Sequence, residues 1–127
     1  MKIKKLKIKL DFVPTDIIFL VGDENISKYI DKMAIGDIFK LNGSDAKTID
    51  MTHSKKGHRI IIGIEPQQYC TYQVKGLIVH EIAHTVDFII ERHGFEGYEF
   101  RAYLQQHLYI QIMKYYDKEF INESNAS

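Results

Sequence analysis

Cysteine is nearly absent from this 127-residue chain, Cys70 being the only one. One thiol makes no intramolecular disulfide, so no cross-linked scaffold is available. Its place beside Tyr69 and Thr71, ahead of a long apolar segment, reads as a packing thiol in a reducing compartment, with the cytoplasm as the expected location. Net charge is absent too: 17 basic and 17 acidic side chains cancel. That removes the main electrostatic argument for a nucleic-acid or anionic-membrane binder and leaves a substrate or a protein as the expected partner. No stretch reaches the roughly 18 apolar residues of a membrane span. The Lys-rich start, Met1 to Lys9, carries a charge at least every third position and has no apolar run of signal-peptide length behind it. Arginine is scarce, three against 20 isoleucines, a bias that fits an AT-rich genome rather than a function. Repeats, linkers and low-complexity segments are missing as well.

What remains is 45% hydrophobic and 27% charged, the profile of one globular domain. A chain of this length buries roughly two-thirds of its unfolded surface, enough for a core without metal staples. Any metal site is therefore expected to serve function.

The pattern divides the chain into a sheet-forming half and a helical half. Residues 2–10 place Ile3, Leu6, Ile8 and Leu10 among lysines, an alternating, half-exposed strand. Pro14 ends it, and Ile17-Ile18-Phe19-Leu20-Val21 forms a continuous apolar strand closed by Gly22-Asp23. Asn25 caps an expected helix to about Lys32, with Gly36 as its stop and a loop over 37–45. Strands over Thr48–Thr52 and His58–Ile64 are joined through Ser54-Lys55-Lys56-Gly57, with His53 and His58 expected at the surface near the hairpin tip. From Tyr72 the period becomes helical and runs to Glu91 or Arg92, with His93-Gly94 as the stop. A last helix is expected from Tyr98 to Phe120. The expectation is an α+β domain over residues 1–121, a small, mostly antiparallel sheet followed by two helices, with a frayed polar tail at 122–127.

The first of those helices carries His80-Glu81-Ile82-Ala83-His84, the pattern HExxH. Residues four apart share a helix face, so both imidazoles can reach one zinc ion, and the glutamate beside the first is placed to act on water at the metal. Around the motif the helix is apolar on most of its circumference, from Leu77 to Ile90. Its polar residues, Gln73, His80, His84, Asp87 and Glu91, form a stripe. Such a stripe lines a cleft or is buried, and burial without partners is costly. The plain alternative is a pair of core histidines bonded to carbonyls.

Catalytic zinc takes three protein ligands and leaves one position for water. Position 90, where a metzincin has its third histidine, is Ile90, and position 87, where it has glycine, is Asp87. Ligands at 80, 84 and 87 would spread over roughly 10 Å of helix, which leaves Asp87 either holding the other nitrogen of His84 or facing solvent. Glu99, opening the last helix with the small Ala102 one turn on, is the candidate third ligand. His93 and Glu96 compete with it. Fourteen residues separate His84 from Glu99, so the carboxylate must return about 12 Å toward the metal, a distance that an extended 93–98 just spans.

HExxH followed by Glu99-Phe100-Arg101-Ala102 resembles the gluzincin metallopeptidases, the thermolysin-like zincins. The run from His80 to Phe88, followed by Glu99 to Leu104, is more particularly similar to small metallopeptidases of phages and mobile elements. The likeness covers about residues 72–110. It implies a minimal zincin-like fold, one Zn2+ per chain held by His80, His84 and Glu99, and Glu81 as general base. The implied activity is hydrolysis of peptide bonds by an activated water, with Tyr98, Arg101, Tyr103 and His107 as candidate donors to the oxyanion. The strand His58–Ile64 is then either the edge against which an extended peptide pairs or a plain core strand. Two other readings stand beside hydrolysis: a catalytically silent zincin-like protein that binds a host or partner protein, and a structural zinc site closed by a fourth ligand such as His93.

Overall fold

The computed structural model describes residues 4–22, 46–51, 57–64, 71–94 and 97–121. The helix expected at 25–32, the loop at 37–45, residues 54–56 of the hairpin turn, His53, Cys70, Glu96 and the tail at 122–127 lie outside them. Four strands are present: β1 Lys4–Lys9, β2 Thr15–Val21, β3 Ala46–Met51 and β4 His58–Ile64. They form one sheet in the order β1-β2-β4-β3. β1 and β3 pair antiparallel with their neighbours, while β2 and β4 run parallel, in register from Thr15↔His58 to Val21↔Ile64. The class is α+β, and the sheet is mixed with two of its three pairings antiparallel.

Strand position follows from residue pattern. β1 alternates, with Lys5, Lys7 and Lys9 exposed and Ile8 buried, as suits an edge blunted by lysines. Lys7 lies 3.7 Å from Asp16 of β2. β2 and β4 are apolar without alternation, and each has only one residue short of burial, Asp16 and Arg59. A strand buried on both faces belongs in the centre of a sheet. Gly57, at φ +89, supplies the left-handed backbone just before β4 begins.

Two helices follow: α1, Thr71–His93, and α2, Tyr98–Tyr116, which continues as a π-helical turn over Asp117–Ile121. α1 ends where Gly94, at φ +72, donates its N–H to the Ile90 carbonyl at 2.8 Å, the αL glycine stop expected there. One face of the sheet, carrying Ile17, Phe19 and Val21 of β2 and Ile60, Ile62 and Ile64 of β4, packs with both helices. α1 contributes Val74, Ile78, Ile82, Val86 and Ile89, a stripe at spacings of four and three. α2 adds Leu104, Leu108, Ile112, Met113 and Tyr116. Each such buried aliphatic is worth about 1.5–3 kcal/mol relative to exposure. The side chains of Ile18, Leu20 and Ile61, which point the other way, are fully buried too. Among the described residues no helix is long and apolar enough to cross a membrane.

Candidate metal centre

α1 turns its core stripe toward the sheet, so the opposite side faces outward between β3 and α2. His80 and His84 stand on that exposed side. Their Nε2 atoms face each other at 3.1 Å, with ring planes inclined by 76°. Two nitrogens held about 2.0–2.1 Å from a tetrahedral zinc lie about 3.3 Å apart, so the pair fits a shared ion. Imidazole nitrogens are donors that suit zinc, among other transition metals.

Glu81 lies about 100° farther round the helix and behaves differently. It is buried, at 5% exposure, and its side chain turns toward β3. The Thr48 hydroxyl of β3 reaches Glu81 Oε2 at 3.0 Å and the Glu81 carbonyl oxygen at 3.2 Å. Thr85, one turn on, donates to the same carbonyl at 2.9 Å. One ligand atom from each of His80, Glu81 and His84 lies within 4.8 Å of the others.

The other candidates are placed elsewhere. Glu99 is exposed in the first turn of α2 and lies outside the group that His80, Glu81 and His84 form among the described residues. Asp87 pairs with Arg101 of α2, one of the candidate oxyanion donors, and not with His84. Tyr103 stacks on His107 at 6.3 Å beside Phe12, and Tyr98 is almost fully exposed. Ala102 does sit where the two helices meet. With Val79, Ile82, Gln105, Gln106 and Tyr109 it lines a groove of about 370 Å³ between the two helices.

His58 corrects one expectation, and its strand decides between two alternatives. It is buried at 6% exposure, not a surface residue of the hairpin tip, because the parallel register sets it against Thr15 at the inner end of β4. Nor is β4 a free edge: β2 and β3 occupy both of its sides, so no peptide can add there, and the strand of this pair at the sheet's edge is β3. His58 Nε2 lies 2.6 Å from Asp50 Oδ1, its Nδ1 lies 2.7 Å from Thr15 Oγ1, and Thr15 Oγ1 lies 2.6 Å from His93 Nε2. The Asp50 carboxylate only accepts, so His58 Nε2 carries a hydrogen toward it, and the Thr15 hydroxyl bridges the two imidazoles. His93 is thereby engaged at a seam between the sheet and the end of α1, remote from the ligand role the sequence left open for it. Burial holds its pKa below the usual imidazole value, and the neighbouring His58 and Arg92 act in the same sense, opposed by Asp50.

Thr48 and the Thr15, His58, Asp50 seam escaped sequence reasoning. A threonine in a strand is ordinary, and only strand order brings these residues to α1. Compared with protein-family models, curated proteins and solved structures, the chain matches none.

Proposed function

We propose that this chain is a small zinc-dependent metallopeptidase, zincin-like in plan, acting on peptide or protein substrates in a reducing compartment such as the cytoplasm. The observation that carries the reading is the pairing of two facing imidazole nitrogens with a buried carboxylate one position away, held from a neighbouring strand. His80 and His84 would hold the ion, and the sequence pattern assigns the third ligand to Glu99. Zinc, when bound, supplies a Lewis acid that polarises the scissile carbonyl and brings the pKa of water close to 7. Glu81 accepts a proton from the attacking water as the new carbon–oxygen bond forms, then delivers it to the nitrogen as the carbon–nitrogen bond breaks. An extended peptide would lie along β3, the sheet edge next to Glu81. The Arg101 guanidinium, already tethered by Asp87, is the cation of α2 nearest in sequence to Glu99.

Metal analysis and three variants test this reading. The purified protein is expected to bind one zinc per chain, and His80→Ala or His84→Ala to lose it. Glu81→Gln should keep the zinc while hydrolysis of a peptide substrate falls about 10²- to 10⁴-fold. Wild-type turnover in Glu81→Gln refutes the general-base role. Zinc binding by a wild type that cleaves no peptide favours instead the silent, partner-binding reading.

A further inference from the structure

We propose that Thr48 is the positioning residue for the Glu81 carboxylate, an inference that rests on the hydrolytic reading above. The hydroxyl that meets Glu81 Oε2 at 3.0 Å comes from the edge strand and not from the helix that carries the glutamate. Thr48 owns one hydrogen and has two acceptors in reach, Oε2 and the Glu81 carbonyl oxygen. That carbonyl already accepts the Thr85 hydroxyl at 2.9 Å, so it is served without Thr48. Among the described residues no other side chain bonds the carboxylate. The hydrogen of Thr48 therefore belongs functionally to Oε2.

Engaging one oxygen leaves Oε1 as the acceptor for the proton of the attacking water. A glutamate has three rotatable bonds and loses appreciable entropy when fixed. The β-branched Thr48 is stiff at χ1, and its strand is anchored by antiparallel pairing with β4, where Thr48 sits opposite Ile62. The tie thus transfers the rigidity of the sheet to a flexible base. It also means that the strand on which a peptide would pair is the strand that aims the base, so substrate docking and base orientation share one element. A misplacement of about 1 Å at a reacting group costs on the order of 10²-fold in rate.

Two substitutions separate the hydroxyl from the shape of the side chain. Thr48→Val removes the donor and keeps the branched volume, while Thr48→Ser keeps the donor. On zinc-loaded protein with a fluorescence-quenched peptide mixture, Thr48→Val is expected to lower kcat about 10- to 100-fold with KM and zinc stoichiometry unchanged, and Thr48→Ser to stay within about threefold of wild type. An unaltered kcat in Thr48→Val overturns the proposal. Crystal structures of the metal-free wild type and Thr48→Val give a readout independent of turnover. The carboxylate should leave its place in the variant, and an unmoved carboxylate overturns the proposal as well. A wild type that cleaves nothing removes the hydrolytic reading, and the crystallographic comparison still decides whether Thr48 holds Glu81.

Discussion

Replacing His93 with alanine should loosen the seam between the end of α1 and the sheet, and the damage should shrink as the solution is acidified. In the native protein His93 Nε2 lies 2.6 Å from Thr15 Oγ1 and 3.3 Å from His58 Nδ1. Removing the ring deletes the Thr15 bond but leaves that buried hydroxyl its second partner, His58, at 2.7 Å. The loss is therefore at least one ordinary hydrogen bond, about 0.5–1.5 kcal/mol at pH 7.5. Acid changes the balance because the folded pKa of His93 is depressed, first by burial, then by the His58 and Arg92 charges, against the pull of Asp50. A depressed histidine binds fewer protons folded than unfolded, so its stabilisation is complete above the ordinary value of 6.5 and declines as the pH falls below it toward the folded pKa. One such group changes stability by at most about 1.4 kcal/mol per pH unit, and by less here because the ring is half exposed and screened. Urea unfolding of wild type and His93→Ala at pH 7.5 and 5, at equal ionic strength, measures the difference directly. A gap that stays constant or widens at pH 5 refutes the reasoning.

The ligand set and the core yield further predictions. Under the proposed function Glu99→Ala should weaken zinc at least about tenfold in competition with a chromophoric chelator, and an unchanged affinity removes Glu99 from the set. Ile78 is fully buried between α1 and the sheet. Its truncation to alanine should cost about 2–5 kcal/mol in denaturant unfolding, and a loss below about 1 kcal/mol would mean that this stripe is not the core.

The helical half was the most legible in sequence because its signals are local. A period of 3.6 fixes which residues share a face, so His80 and His84 had to project together and Glu81 had to turn away, whatever α1 packs on. The helix bounds agree to within a residue or two at both ends of α1 and at the start of α2, and His58–Ile64 is a strand over the expected span. The continuous apolar run at 17–21 likewise announced a strand, and the structure buries it and 60–64 on both faces. What they did not announce was their pairing with each other, which makes His58–Ile64 central and hands the edge to Ala46–Met51.

Composition and spacing by themselves determined a charge-balanced α+β domain with two imidazoles one helical turn apart, since both properties are settled by covalent order and backbone period. Tertiary structure alone decided which groups those imidazoles and their glutamate meet. It set Thr48 against Glu81, drew His58 and His93 into a seam with Thr15 and Asp50, gave Asp87 to Arg101, and left Glu99 outside the histidine pair. The reason is that strand order and the return path of the chain come from packing the whole core at once, and no short window of sequence contains that sum.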